Sequence, residues 1–399
     1  MVFHLTWRER KPVMKRLMSI CSIAVYCFLI MATVSYAGDG VDHKNKVIKL
    51  AGYDAVTGKY GNYGSGDKVG QEIAIEQINN MGGIQAGPLK GYKLELDFYD
   101  DRGDAREAAS VAKKIASGDY LTVMGPSMSS SALAATPVFY RYRIANVITY
   151  SNASSITAQG FDTIARLPFT TKTIANAIAN AASKELGMKT LSVISENQDY
   201  GQQLIETLLE VQKKYGLTVV SQDVITAGQD VDFKSVLTRA KSKNPDGLIL
   251  FVTYNEGGLI VRQARAMGWD VPVVGVEALT DPKFFELAGD VKNVFLVISD
   301  DIDSSTPQAK YLNAQWKKRT GEAVAPNAAI FGYDAVQVTR QIIENGAQTR
   351  EEFIKGIPTV QVTGGIYSNL YTFDKHGDSE KFAFVTVPAE KYKESLKSK

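Results

Sequence analysis

The sequence predicts an α/β protein with two doubly wound parallel sheets. Short β-branched runs alternate along the chain with helix-forming segments, and this order is typical of a parallel sheet that has helices on both faces. The alternation occurs in two series, one beginning near residue 46 and the other near residue 170. The 399 residues also suffice for two domains of ordinary size.

The first series alternates β-branched strands with amphipathic helices. Its first helix ends at Gly82 and Gly83, which readily adopt the left-handed conformation that closes a helix. The strand that follows alternates apolar and polar residues, as a half-buried strand does. The predicted strands are residues 47–51, 94–98, 121–124 and 146–150, and the predicted helices are residues 67–81, 105–117 and 132–142.

The second series repeats this alternation and continues toward the C-terminus. Its β-branched runs are short, and the segments between them have helical spacing of apolar residues. The predicted strands are residues 191–195, 218–224, 247–252, 273–276 and 295–298. The predicted helices are residues 174–186, 201–215, 233–243, 256–267, 309–320 and 329–345.

The first 37 residues have the layout of a secretory signal peptide. Basic residues precede an uncharged segment over residues 17–34, and Ser35 and Ala37 offer the small side chains that signal peptidase reads. We expect cleavage after Ala37. An uncleaved membrane anchor is the alternative, because the apolar segment nearly reaches spanning length. Translation starts at Met1 or at Met14.

Composition limits the classes of function. The 45 basic and 43 acidic residues are interspersed and leave a formal net charge of +2, so we expect neither nucleic acid nor an anionic membrane surface as a partner. Cys21 and Cys27 lie in the predicted signal peptide, which leaves the exported chain without disulfides or thiol catalysis. Outside that segment the only histidines are His43 and His376, so no metal cluster and no cofactor are expected.

Polar side chains follow five of the predicted strands at the point where each strand ends. Ligands of open parallel sheets bind beyond these carboxyl ends, where loops and helix N-termini converge. The polar residues are four serines within residues 127–131, the segment 151–155, Tyr200, Tyr254 and Glu277.

This set of side chains suits a small zwitterion. Serine hydroxyls and free N–H groups at a helix start attract a carboxylate, Glu277 can receive an ammonium group, and tyrosine rings bury apolar surface. Each feature also has a simpler explanation. The serines can cap a helix, Glu277 can be solvated, and Tyr200 and Tyr254 can pack between domains. The joint placement at equivalent strand ends favours a binding site over these alternatives.

Motifs spread over nearly the whole chain after residue 46 are similar to those of a known family. They are TG at 57–58, YG at 63–64, AIEQIN at 74–79, GGI at 82–84, DD at 100–101, SSS at 129–131, DYG at 199–201, Tyr254, RQAR at 262–265, GVE at 275–277 and FGYDA at 331–335. With this order and spacing the chain resembles the type I periplasmic solute-binding proteins of ABC transporters, in the leucine/isoleucine/valine-binding branch.

The resemblance implies two lobes that close over a ligand and are joined by three hinge crossings. The crossings would fall near Leu167, near Ser299, and between Ile366 and Phe373. The first lobe would comprise residues 38–167 plus 299–368, and the second lobe residues 168–298 plus 369–399. The resemblance further implies a periplasmic, monomeric protein with an ABC transporter permease as its partner.

The resemblance also assigns roles within the pocket. Ser129 would bind the ligand carboxylate, the carbonyl of Ser151 and the acid of Glu277 would receive the ammonium, and rings would line the pocket. The residues expected to line the pocket are Tyr63, Ser127, Met128, Ser129, Tyr150, Ser151, Ala153, Ser154, Tyr200, Tyr254 and Glu277.

Two departures from the family pattern leave the ligand open. The usual carboxylate-binding threonine is replaced by Ala153 or Ser154, depending on the placement of a one-residue gap. Tyr150 stands where a proline is common, which would narrow the pocket or stack on an aromatic ligand. The retained Glu277 favours a ligand with an amine.

Three other classes of protein fit less well. A two-lobed DNA-binding regulator would begin with a helix-turn-helix, where this chain has an export signal. A serine hydrolase requires G-x-S-x-G with a histidine, and a dinucleotide enzyme requires G-x-G-x-x-G after a strand. We therefore expect a non-enzymatic binder of a small amino acid, branched-chain or related. A carboxylate, aromatic acid or amide without an α-amine, and a role as a ligand sensor, remain alternatives.

Overall fold

The computed structural model describes residues 38–300, 305–379 and 382–398 as an α/β protein of two lobes, each built on a six-stranded sheet. The predicted signal peptide over residues 1–37, with its cleavage site and both cysteines, lies outside the described residues. The α/β class and the two-lobed architecture predicted from the sequence are confirmed.

The first lobe contains a mostly parallel sheet. Its strands are Val41–Asp42 (β1), Val47–Asp54 (β2), Lys93–Asp100 (β3), Thr122–Met124 (β4), Ala145–Ile148 (β5) and Ile164–Arg166 (β6). All pairs are parallel except β1 with β2. The carboxyl ends of β2, β4 and β5 therefore lie at one edge of the sheet, where the serine segment begins.

The second lobe contains the second six-stranded sheet. Its first five strands in the chain are Thr190–Glu196 (β7), Thr218–Ile225 (β8), Gly247–Phe251 (β9), Val273–Gly275 (β10) and Val294–Ser299 (β11). The chain then forms a small hairpin of Val362–Thr363 (β12) and Leu370–Tyr371 (β13) and returns as Phe384–Pro388 (β14). The strand order of the second sheet is β14-β11-β10-β9-β7-β8, so β14 lies at an edge. Because β14 pairs antiparallel with β11, this sheet is mixed at its edge, as the first sheet is at β1.

Helices cover the faces of both sheets. In the first series they are Gly61–Asn80 (α1), Ala105–Ala116 (α2), Ser129–Arg141 (α3) and Ser155–Ala158 (α4). The later helices are Thr171–Asn180 (α5), Asp199–Val211 (α6), Lys234–Ser242 (α7), Tyr254–Ala266 (α8), Pro282–Ala288 (α9), Pro307–Thr320 (α10), Asn327–Glu344 (α11), Arg350–Gly356 (α12) and Ala389–Ser398 (α13). No helix within the described residues combines the length and the apolarity needed to span a membrane.

Helix α11 follows the second sheet in the chain but packs on α1 of the first lobe. Glycines permit this close approach. A Cβ atom on Gly70 would lie 2.0 Å from the carbonyl oxygen of Ala329, and one on Gly332 would lie 2.3 Å from the carbonyl oxygen of Asp67. Larger side chains at either position would push apart elements that carry residues of the cavity described below.

Several helices begin before their predicted start, α1 and α3 among them. Helix α1 begins at Gly61 rather than at residue 67, because tertiary packing holds glycines whose intrinsic helix propensity is low. Helix α3 begins at Ser129 rather than at residue 132. The serine run therefore forms the first turn of a helix instead of a loop ahead of it.

Candidate functional site

A cavity of about 50 Å³ lies where the loops of the two sheets face each other. The predicted residues that line it are Tyr63, Ser127, Met128, Ser129, Tyr150, Tyr200 and Glu277. Its wall also contains residues that the sequence did not predict, namely Ser130, Asn152, Phe169, Ile174, Glu196, Gln198, Thr253 and Ala278. The other predicted residues, Ser151, Ala153, Ser154 and Tyr254, lie outside the wall that the described residues form.

The serine segment is held by hydrogen bonds to neighbouring loops. Ser127 donates to Oδ2 of Asp54 both from its backbone N–H, at 3.0 Å, and from its hydroxyl, at 2.5 Å. Ser129 is the first residue of α3, and its Oγ accepts a hydrogen bond of 3.2 Å from the N–H of Ala153. The N-cap of α3 is Met128, which supplies no side-chain cap. Helix capping therefore does not explain the hydroxyls of Ser127 and Ser129.

Asp54 belongs to a buried pair of carboxyl groups beneath this segment. Its partner is Asp67 on α1, which also accepts hydrogen bonds from Gln71, at 3.0 Å, and Thr149, at 3.1 Å. Burial, reinforced by the charge of Asp54, raises the pKa of Asp67 well above its ordinary value. Asp67 therefore holds the proton of the pair, and Asp54 remains the acceptor that fixes Ser127.

The segment after β5 points most of its polar side chains away from the cavity. Ser151 is fully buried, and its hydroxyl donates to the carbonyl of Pro126 at 2.8 Å. This bond ties the segment to the loop that carries the serines. Asn152 is the exception, because it lines the cavity while its amide donates to the carbonyl of Phe169 at 2.8 Å.

Ala153 and Ser154, the two candidates for the carboxylate position, have different surroundings. The N–H of Ala153 faces the Ser129 hydroxyl, and its carbonyl accepts a hydrogen bond of 2.5 Å from the buried guanidinium of Arg166. The hydroxyl of Ser154 is hydrogen-bonded to that of Thr171 at 2.8 Å. Ala153 thus presents its N–H beside Ser129, whereas the Ser154 side chain is engaged with α5.

Glu277 lies at the opposite side of the cavity, directly after β10. Its Oε1 accepts hydrogen bonds from the amide of Asn327, at 2.7 Å, and from the phenol of Tyr367, at 2.5 Å, and the same phenol also contacts Oε2. Burial raises the pKa of Glu277 to about 8, although the Tyr367 hydrogen bond partly offsets the rise. Asn327 and Tyr367 were not predicted, because nothing local in the sequence links either residue to Glu277.

Aromatic rings form the wall between these two sides. The ring centroid of Tyr63 lies 5.9 Å from that of Tyr150 and 5.3 Å from that of Tyr254, and Tyr150 lies 5.3 Å from Phe331. Tyr254 supports Tyr63 from behind rather than lining the cavity. Burial, followed by the charges of Glu196 and Glu277, raises the pKa of Tyr200, and all three residues line the cavity.

Glu196 is a second acid in the cavity wall, at the last residue of β7. It is only 2% exposed, and burial followed by the charge of Glu256 raises its pKa to about 8. Its position at a strand end was a signal available in the sequence. Tyr200 was the only residue predicted from this loop, so Glu196 was missed.

A larger cavity of about 330 Å³ lies on the other side of Tyr63 and Tyr150, which contribute to the walls of both cavities. Apolar side chains such as Leu312 and Ile330 line much of it. Convergent polar groups orient small ligands, and these groups face the smaller cavity. The smaller cavity is therefore the candidate site.

The candidate site can bind opposite charges at its two sides. Hydroxyl and N–H donors near Ser129 suit an anion, and the carboxyl of Glu277 suits a cation. No group of three or more His, Cys, Asp or Glu side chains in the described part of the chain is arranged to hold a metal ion.

A family model described as periplasmic binding protein matches residues 47–391. The chain belongs to this family. It is 27% identical over 365 residues to the leucine-, isoleucine-, valine-, threonine- and alanine-binding protein of Pseudomonas aeruginosa, covering 90% of this chain and 93% of that protein. The family and the leucine/isoleucine/valine-binding relatives named from the sequence are thereby confirmed.

Solved structures of solute-binding proteins have the same fold. A leucine-binding protein from Thermotoga maritima matches with a TM-score of 0.75 at 26% identity, covering 85% of this chain and 94% of that chain. A solute-binding protein of an ABC transporter from Rhodopseudomonas palustris BisB5, in complex with 3,4-dihydroxybenzoic acid, matches with a TM-score of 0.73 at 20% identity, covering 84% of this chain and 91% of that chain. These relatives are named as binding proteins and not as enzymes.

Proposed function

We propose that this protein captures a small amino acid, branched-chain or related, between its lobes and delivers it to an ABC transporter permease. The observation that carries the proposal is the arrangement of one cavity. Donors at the start of α3 line one side, and the carboxyl of Glu277 lines the other. An α-amino acid presents a carboxylate and an ammonium a short distance apart, so it complements both sides.

The anion side would be formed by Ser129 and the first N–H groups of α3, with Ala153 behind the Ser129 hydroxyl. Ser129 lies at the N-terminus of a 13-residue helix, whose dipole and free N–H groups favour negative charge. The Ser129 hydroxyl accepts from Ala153 and can therefore turn its proton toward a ligand carboxylate. The hydrogen bond supports Ala153, rather than Ser154, as the residue after β5 that helps to bind the carboxylate, because its N–H orients the Ser129 hydroxyl.

The cation side would be formed by Glu277. Its oxygens accept from Asn327 and Tyr367, and a carboxylate has about four acceptor positions, so an ammonium group can join these donors. Closing the site removes water from both charged ends of the ligand, and each end then needs a partner. The proposed carboxylate and ammonium positions meet that requirement.

Lobe closure would complete the site. We assign residues 38–167 plus 299–368 to the first lobe and residues 168–298 plus 369–399 to the second. With these boundaries, Lys59 donates to the carbonyl of Ala227 at 2.8 Å, and Gln198 donates to the phenol of Tyr60 at 2.6 Å, both between lobes. A ligand that touches both lobes adds differential contacts to the closed state, and a permease would recognise that state.

An aromatic carboxylate is the second candidate ligand. Tyr63, Tyr150 and Phe169 line the cavity, and a protonated Glu277 could donate to a carboxylate. The structural neighbour with bound 3,4-dihydroxybenzoic acid has the same fold. Tyr150 also stands where a proline is common in the family, and its ring could stack on the ring of an aromatic ligand.

Binding measurements on the exported chain test the proposal. Residues 38–399 would be refolded from denaturant to remove co-purified ligand and screened by thermal shift against the common L-amino acids and hydroxybenzoates, because a ligand of the folded state raises the melting temperature. A rise with at least one amino acid, removed when its α-amine is deleted, supports the proposal. Rises with benzoates alone would replace it by the aromatic candidate.

Export and oligomeric state belong to the same proposal. We expect the protein recovered from the periplasm to begin at Gly38, as N-terminal sequencing would determine. Light scattering should give the mass of one chain. A mature chain that retains residues 17–34 would instead favour the membrane anchor.

A further inference from the structure

Two polar atoms in the cavity wall lack a hydrogen-bond partner among the described residues. They are Oη of Tyr63, whose side chain is 6% exposed, and Oε2 of Glu196, which is 2% exposed. Both residues line the candidate site. Buried polar atoms are nearly always hydrogen-bonded, so two exceptions on residues that line one cavity are candidates for atoms that a ligand satisfies.

Neighbouring side chains do not supply the missing partner of Glu196. Glu256, the acid beside it, already accepts from the N–H of Gly228 at 2.6 Å and from the hydroxyl of Thr253 at 2.6 Å. The ammonium of Lys59 attracts Glu196 electrostatically but donates its hydrogen bond to the carbonyl of Ala227. Within the described residues, no Lys or Arg nitrogen lies within 4.0 Å of Glu196.

Glu196 and Tyr63 lie apart from the two ends of the proposed amino-acid site. Tyr200, Glu277, Tyr63 and Glu196 all line the same cavity. A ligand whose ammonium meets Glu277 would therefore direct its side chain past Tyr200 toward Tyr63 and Glu196. An aliphatic side chain placed there would leave both polar atoms unpaired.

We infer that Glu196 and Tyr63 select an amino acid whose side chain ends in a hydrogen-bond donor, such as an amide, rather than an aliphatic one. This inference rests on the proposed function and specifies its substrate class. A carboxyl oxygen accepts from an N–H donor, and a phenol both donates and accepts, so the pair matches the donor and acceptor of a primary amide. Sites built around buried polar groups discriminate strongly against analogues that lack the matching group.

Isosteric ligand pairs test the inference. Asparagine and leucine have nearly the same shape, as do glutamine and methionine, so the change in the ratio of their dissociation constants between the wild type and a variant measures the polar contact. Calorimetry on the wild-type protein should give tighter binding of the amide member by about 10-fold to 100-fold, as for buried polar groups that would otherwise lack a hydrogen-bond partner. Glu196→Met should reduce the preference at least about tenfold, and Tyr63→Phe should reduce it less.

The same substitution on the protein surface supplies the matched control. Glu210 is exposed on α6, and Glu210→Met should leave the preference unchanged. Because each ratio compares two ligands on one protein, a general loss of stability in a variant cancels. Tighter binding of leucine and methionine by the wild type, or an unchanged ratio in Glu196→Met, would overturn the inference and leave the proposed function intact. Failure of every amino acid to bind would overturn both.

Discussion

The side-chain amide of Asn327 donates a hydrogen bond of 2.7 Å to Oε1 of Glu277. Asn327 begins α11, which packs on α1 of the first lobe, whereas Glu277 follows β10 of the second sheet. The acid proposed to receive the ligand ammonium is therefore already linked to the opposite lobe. A ligand that binds Glu277 would reinforce this contact between lobes.

Replacing Glu277 should weaken amino-acid binding strongly. In Glu277→Gln the ammonium would be buried without its charge partner, at a cost of about 2–5 kcal/mol in binding free energy, measured by calorimetry. Glu286→Gln is the matched control, because Glu286 is exposed on α9. Equal affinities in the wild type and Glu277→Gln would remove Glu277 from the ligand site.

Removing the Ser129 hydroxyl should have a smaller effect. Ser129→Ala would delete one hydrogen bond to the ligand carboxylate but leave the helix N–H groups, so we expect a loss of about 1–2 kcal/mol in binding free energy. Ser154→Ala should change the affinity by less than about 0.5 kcal/mol, because its hydroxyl is engaged with Thr171. The reverse order of the two effects in titration calorimetry would assign the carboxylate to Ser154.

Binding of an amino acid should release a proton below about pH 8. Burial raises the pKa of Glu277 to about 8, so this carboxyl is mostly protonated at pH 7 without ligand. An ammonium partner favours the ionised form and lowers that pKa, so affinity should rise with pH toward 8 by at most about tenfold per pH unit. Calorimetry in buffers of different ionisation enthalpy measures the proton count. Uptake of a proton would instead indicate a carboxylate ligand paired with a neutral Glu277.

The ligand-free protein should lose stability as the pH rises from about 4.5 to about 8. Burial raises the pKa of Glu196 from 4.5 to about 8, so over this range the folded state holds a proton that the unfolded state has released. The melting temperature should therefore fall between pH 6 and pH 8, and by less in Glu196→Gln. Glu210→Gln, on the exposed face of α6, should behave like the wild type. An identical pH dependence in Glu196→Gln would mean that Glu196 is ionised in the folded protein.

The sequence predicted the parts of the fold that depend on local patterns. Long β-branched strands such as β2 and β7 and amphipathic helices such as α2 were predicted within a few residues. The two-residue strand β1 and the three-residue strand β6 were missed, because so few residues carry no periodicity. The start of α1 was missed because its glycines act through packing on distant elements.

Residues of the candidate site that follow strands were predicted from the sequence. Hydrogen-bond partners that are distant in the chain were missed. Ser129 begins the helix that follows β4, and Glu277 lies two residues after β10, so the strand ends predicted both near the cavity. The hydrogen bonds of Glu277 to Asn327 and Tyr367 join residues 50 and 90 positions apart. No local pattern specifies such pairs, and the buried pair of Asp54 and Asp67 was missed for the same reason.

A crystal structure of residues 38–399 with the amino acid that gives the largest thermal shift tests the central claim most directly. We expect the ligand ammonium within hydrogen-bond distance of Glu277 and the ligand carboxylate within hydrogen-bond distance of the Ser129 hydroxyl. A ligand seated in the larger cavity beyond Tyr150, or one bound without contact to Glu277, would contradict it.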